Sequence, residues 1–291
     1  MCHKIARMRN ILIALALSMT ASATLAQLAE GDQHYAARAE GHVGGRAKPA
    51  HIDAAIAAYQ RAVAANPKDL EAHWKLLRAY RFKGAYVAAS NDEKKNLYAA
   101  AKKAGEVALA LLDSNLKAKG VTSVAKATEK QVADAARTIP GAAETFLWDS
   151  INWGEWALAY GKMAAVREGA ADRIRREATI AMLADPKLDG GAPQRVLGRL
   201  HDQTPRVPFI TGWASEKEAV RFLNESLKID PTNKITQVFL AEAMVENNSD
   251  TKPQAVQMLK ECLTAPNPPE YEVEQAAATE DARALLKKWG A

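Results

Sequence analysis

Phe146–Tyr160 (FLWDSINWGEWALAY) decides the fold. On a helix, with about 100° per residue, Phe146, Trp153, Trp156 and Tyr160 share one narrow stripe. Leu147, Ile151, Gly154 and Leu158 make an aliphatic stripe beside it. An apolar arc that broad predicts a helix covered by neighbours on two sides. Trp148 points the other way, among Asn152 and Glu155. The stretch therefore reads as the central helix of an all-α array, with layers of helices packed before and after it.

Working outward, a spacing recurs. A small residue is followed four positions on by a large apolar one, three further by another small one, and five beyond that by proline. Ala55, Tyr59, Ala62 and Pro67 fit in full, as do Ala219, Leu223, Ser226 and Pro231. Ile174, Ala178, Ala181 and Pro186 keep the frame with sizes exchanged, and Ala255, Leu259 and Cys262 fit with a stop at Pro266 or Pro268. Ala101, Gly105, Ala108 and Asp113 form a weaker copy. Such a frame marks helical-pair repeats of the tetratricopeptide type, in which small residues let two helices cross closely. Asn66-Pro67, Asp185-Pro186 and Asp230-Pro231 end helices. Partner helices are expected at Leu70 to Lys83 and Lys234 to Glu246, with loops at Gly41 to Pro49 and Asp113 to Thr122. The fold class is a tetratricopeptide-like helical-hairpin solenoid of about ten to twelve helices, closed by a C-terminal capping helix over Glu270 to Trp289.

The N-terminus reads differently. Lys4, Arg7 and Arg9 precede the apolar run Ile11 to Leu17 and the small-residue segment Ser18 to Ala26, the order of a secretory signal peptide. Cleavage is expected after Ala26, or after Ala23; the alternative is an uncleaved anchor, since Ile11 to Ala29 carries no charge. The expected division is residues 1–26 as signal and 27–291 as one repeat domain, exported to the periplasm. Removing the signal takes three positive charges and no negative one from a formal +5, leaving +2. No basic patch interleaved with aromatics remains, so nucleic acid is not an expected ligand. Cys2 leaves with the signal, too early for a lipid-bearing cysteine, and Cys262 stays alone, so no internal disulfide is expected.

The segment Asp189-Gly190-Gly191-Ala192-Pro193-Gln194-Arg195-Val196-Leu197-Gly198, with Asn152-Trp153-Gly154-x-Trp156 before it, is not that of a plain tetratricopeptide array. Together they resemble the T-component family of TRAP transporters, periplasmic helical-repeat proteins associated with tripartite ATP-independent solute uptake. The resemblance spans roughly Ile52 to Trp289 and implies a solute-binding subunit as partner, with a small apolar or carboxylate solute passing between the two. Many family members are lipoproteins, whereas this chain has no cysteine at its cleavage site.

Read from the residues themselves, Gly190 and Gly191 permit a tight left-handed turn and Pro193 suits a first helical turn. Arg195 either pairs with a structural acid such as Asp189 or anchors a carboxylate or bound anion. Phe209 and Trp213, in the loop Pro205 to Gly212 and its end, either cover a groove edge or belong to an interface. Asp149 is either a functional buried carboxylate or the acceptor of an indole or backbone N–H. Trp153, Trp156 and Tyr160 read as core or as a ligand platform, while a tryptophan on the polar side, Trp148, reads as a contact for a partner or ligand.

No phosphate loop, nucleophile elbow or metal signature occurs. His34, His42 and His51 lie around a loop without i, i+4 spacing and read as solvated. The expectation is a scaffold without enzymatic activity or cofactor, binding through a concave face near Trp148, Trp153, Trp156, Arg195, Phe209 and Trp213. Two other readings are a periplasmic adaptor for envelope assembly and a carrier of a hydrophobic small molecule.

Overall fold

The computed structural model describes residues 24–291, and residues 1–23 of the signal expected over 1–26 lie outside them. Thirteen α-helices make up the fold, with an isolated antiparallel bridge between Val43 and Arg46 and no strand among the described residues. They are α1 (24–36), α2 (Pro49–Ala65), α3 (Leu70–Tyr86), α4 (Asn91–Ala118), α5 (Glu129–Ala136), α6 (Ala142–Tyr160) and α7 (Lys162–Arg167). After these come α8 (Ala170–Ala184), α9 (Ala192–Gln203), α10 (Glu216–Ile229), α11 (Lys234–Asn247), α12 (Lys252–Thr264) and α13 (Glu272–Trp289). None of them is long and apolar enough to cross a membrane. The helix at 24–36 runs without a break past Ala26.

The repeat frame is physical. Ala55, Tyr59 and Ala62 on α2 are wholly buried, as are Ala219, Leu223 and Ser226 on α10, and Ala255, Leu259 and Cys262 on α12. Asn66, Asp185 and Asp230 end their helices in nearly one conformation, with φ/ψ of −138/87, −139/96 and −130/90. Proline forbids the helical region to the residue before it, so each chain turns out at the same point. The side chain of each then accepts the N–H two residues on, from Lys68, Lys187 and Thr232. The proline carbonyls are capped in turn by His73 Nε2 on α3, Gln194 Nε2 on α9 and Gln237 Nε2 on α11, at 2.9, 2.8 and 3.0 Å. Three turns far apart in the chain thus repeat one hydrogen-bond scheme.

Several expectations are corrected. There are more helices than expected because α5 and α7 are short separate pieces. The loop expected from Asp113 starts only at Lys119, since Leu112 and Leu116 continue the buried stripe of Ala101, Gly105 and Ala108 for two more turns of α4. The aliphatic stripe of α6 is buried at Leu147 but ends in water at Leu158.

Five helices follow one another around the inside of the molecule. α3 packs along α6, α6 touches α9, α9 touches α11, α11 packs along α13, and α13 returns to α3. Rather than standing free at the far end of a row, the C-terminal helix reaches the N-terminal elements. Arg38, just after α1, is buried and paired with Glu274 of α13 at 2.8 Å, and its guanidinium also reaches the carbonyls of Tyr35 and Glu270. The backbone N–H of Gly45 donates to Glu280 of α13 at 2.9 Å. Val273 packs in the same apolar cluster as Ile52, Ala55 and Phe82.

Candidate functional site

One side of α3 carries Trp74, Arg78 and Arg81, at i, i+4 and i+7. All three are half-buried on a helix otherwise packed with apolar residues. Arg78 lies over the ring of Tyr35 at 3.9 Å and that of Trp74 at 5.0 Å. Arg81 donates to the Tyr86 hydroxyl at 2.8 Å, lies over its ring at 4.9 Å, and has Glu155 of α6 at 3.5 Å. On α6, Asn152 is fully buried and donates to the carbonyls of Leu77 and Trp148 at 3.0 and 2.8 Å. The side of α6 that reads as polar in the sequence is therefore the side held against α3, with Trp148 half-buried on it.

Arg195, one turn into α9, comes to the same interior. Burial draws its guanidinium below the ordinary value, and the charge of Arg81 adds to that, against Asp189 and Asp230. Asp189 Oδ2 stands 4.0 Å away and the Thr236 hydroxyl 3.4 Å. Asp189 is held at φ 46°, a left-handed conformation that costs a residue with a side chain energy, and is followed by Gly190 and Gly191 at 63° and 79°. The two glycines turn the chain hard against α10: Ser226 Oγ donates to the Gly191 carbonyl at 3.0 Å, and a Cβ on Gly191 would meet the Ser226 Cα at 3.2 Å. The turn aims Asp189 inward, where it accepts the Tyr271 hydroxyl at 2.9 Å.

Trp153 and Trp156 sit elsewhere. Both are buried with Tyr98, Ala170 and Ile174, where α6 meets α4 and α8. Lys102 and Arg173 lie 4.3 and 4.4 Å from the Trp153 ring, and Trp156 stacks on Tyr160 at 4.8 Å. Neither indole faces the interior arginines. Asp149, read in the sequence as a functional carboxylate or as the acceptor of an indole or backbone N–H, pairs with Arg173 at 2.8 Å, and the Trp153 Nε1 finds no acceptor. Arg173 also holds Glu177 at 3.0 Å, and burial raises the Glu177 carboxyl well above its ordinary range, with the charge of Asp149 adding to the effect.

Phe209 and Trp213 form a third place. Trp213 Nε1 donates to Asp172 at the start of α8 at 2.9 Å, and the ring lies edge-on to His201 at 5.2 Å with Arg175 over it at 4.6 Å. Thr211 receives the N–H of Val207 on its hydroxyl and donates its own N–H to the Val207 carbonyl. The loop is pinned at both ends, yet Phe209 at its tip is fully exposed with φ 66°. Val207 and Ile210 beside it are exposed too, as are Met163 and Val166 of α7, which leads directly into α8.

The histidines pair rather than cluster. His34 Nδ1 is 3.2 Å from His51 Nδ1, and His51 Nε2 is 3.2 Å from Glu40. No group of three or more His, Cys, Asp or Glu residues is arranged to hold a metal ion among the described residues. Near α13, a cavity of about 320 Å³ is lined by Lys234, Asn267, Thr279 and Arg283. The buried Lys234 ammonium spends its three donors on the Ala265 carbonyl, Asn267 and Thr279, which fits a structural pin between α11 and α13.

The sequence reading put Trp148, Trp153, Trp156, Arg195, Phe209 and Trp213 near one concave face, whereas Trp153 and Trp156 lie between α6, α4 and α8 and Phe209 and Trp213 on the 205–213 loop and its end; it did not name Tyr35, Arg78 and Arg81. The available signal was the Trp74, Arg78, Arg81 spacing on an otherwise apolar helix. Comparison with models of known protein families finds no match, and comparison with curated proteins finds none either.

Proposed function

We propose that this chain is an exported helical-repeat scaffold without enzymatic activity that docks a partner protein through the 205–213 loop. Phe209 carries the reading. An apolar side chain gains nothing from standing in water, and a left-handed φ costs energy, yet a loop tied down by Trp213 and Thr211 holds it there. Exposed aromatic anchors on pre-ordered loops are what protein interfaces use. Val207 and Ile210, next to it in the loop, are exposed as well. The partner is taken to be the solute-binding subunit of a TRAP transporter, on the resemblance of the central segment, and the role to be assistance in solute uptake.

The test is a pull-down from periplasm with the tagged chain and with Phe209→Ser. A solute-binding protein should be captured by the first and lost with the second. Capture of envelope-assembly proteins alone would reject the transporter role in favour of an assembly adaptor.

A further inference from the structure

The imidazole of His201, in the last turn of α9, stands at the root of the 205–213 loop. It lies between two rings: Trp213, edge-on at 5.2 Å, and Phe222 of α10, stacked at 5.6 Å. A guanidinium covers each of those rings, Arg175 of α8 over Trp213 at 4.6 Å and Arg221 of α10 over Phe222 at 3.9 Å. His201 is 8% exposed, and its Nδ1 is buried without a hydrogen-bond partner. A buried lone pair costs less there than a buried N–H would, which assigns the proton of the neutral ring to Nε2. A second proton has to go on Nδ1, where no acceptor meets it. The charge it brings is equally unwelcome. Arg175 and Arg221 repel it, and the acid that favours it, Glu218, gives its Oε2 to Arg221 at 3.0 and 2.6 Å. On α9 itself Asp202 is held by Arg199 at 2.8 Å, and Glu242 of α11 goes to the same guanidinium at 2.6 Å. Burial is the main cause that holds the imidazole below its ordinary value, with Glu218 opposing and the two guanidiniums adding.

We infer that His201 makes docking through the 205–213 loop sensitive to pH: its neutral ring seats Trp213, and its protonation frees that end of the loop. Trp213 is the movable side of the sandwich. α9 and α10 pack along each other, whereas Trp213 belongs to the loop and is held by its hydrogen bond to Asp172 and by its contacts with His201 and Arg175. Water therefore reaches a charged imidazole by displacing the indole. Because the folded value lies below the unfolded one, about 6.5, the contribution of this seat is complete above the unfolded value and is lost as pH falls through the folded one. The inference rests on the docking reading for its consequence, and on the contact of His201 with Trp213 for its cause.

Hydrogen exchange of the full chain at about pH 7.5 and about pH 5, corrected for intrinsic exchange, tests it. The amides of Val207, Ile210, Thr211 and Ala214, all hydrogen-bonded within the loop, should exchange at least about threefold faster at the lower pH. His201→Phe and His201→Gln, which cannot take up the proton, should remove that difference, and Phe209→Ser should keep it. Capture of a solute-binding protein should weaken at about pH 5 with the parent and hold with whichever His201 variant stays folded. NMR titration of the His201 ring in the parent needs no variant, and a midpoint at or above about 6.5 overturns the inference. So does pH-independent exchange in the parent, or the same pH response in both His201 variants. Capture undiminished at about pH 5, while Phe209→Ser still abolishes it, overturns it too. If exchange follows His201 but capture ignores Phe209→Ser, the switch stands and docking at this loop is what fails.

Discussion

Asp149 and Glu177 face each other across the contact of α6 with α8, and a single guanidinium, that of Arg173, serves both, at 2.8 and 3.0 Å. One oxygen of each carboxyl is left over, buried and without a cationic partner. Burial first, and then the charge of Asp149, hold the Glu177 carboxyl well above its ordinary range, against the pull of Arg173. Its folded value lies above its unfolded value, and the linked stability is therefore complete below the unfolded carboxyl pKa, about 4.3. It is lost as pH rises through the folded value, at about 1.4 kcal/mol per unit of difference. Glu177→Gln, neutral at every pH, should melt higher than the parent at pH 8 and show a flatter profile of melting temperature between pH 5 and 8. Parallel profiles for the two proteins would mean that the carboxyl is ionised throughout.

Gly105 is the small residue of the α4 frame because the Asp149 carboxylate occupies the space that a Cβ would need. Gly105→Ala raises helix propensity yet should destabilise the protein by about 1–3 kcal/mol, as overpacking does. Denaturant unfolding measures it; a stabilised variant would show that α4 and α6 can separate without cost.

Closure of the ring rests on Arg38 and Glu274. Arg38→Met leaves a buried carboxylate and the carbonyls of Tyr35 and Glu270 without their donor, and should cost about 3–5 kcal/mol. Adding Glu274→Met should restore a good part of that, because two apolar chains of similar volume no longer strand a charge. A double variant as weak as the single one would place the energy in the carbonyl contacts instead.

Trp213→Phe removes the hydrogen bond to Asp172 and should cost about 0.5–1.5 kcal/mol. Hydrogen exchange at Val207, Ile210 and Thr211 should quicken with it, whereas Phe209→Ser should change stability by no more than about 0.5 kcal/mol. A large loss of stability in Phe209→Ser would mean that this ring is covered in solution and does not serve as an anchor.

The helices and their ends were legible because they are local. The small–large–small frame named buried residues on α2, α4, α8, α10 and α12, since a 3.6-residue period depends only on near neighbours. The turns at Pro67, Pro186 and Pro231 followed from sterics between adjacent residues. Within the candidate site the legible part was Arg195 and its acid, which lie in one short turn. Arg78 and Arg81 were not, because a polar stripe on a helix looks the same in sequence whether it faces water or a wet interior. Trp148 shows the ambiguity most plainly: its polar neighbour Asn152 turned out to be fully buried against α3.

By itself, then, the chain's order of residues determined that its described part is helical, that rods stop before Pro67, Pro186 and Pro231, and which side of the repeat helices is small enough for close crossing. Tertiary structure alone decided that α13 comes back to α3, that Arg81 of α3 and Arg195 of α9 come within reach of each other's charge, and that Trp153 and Trp156 are core while Phe209 stands in water. The reason is that a helical pattern records how much of a surface must be covered, and only packing in space settles what covers it.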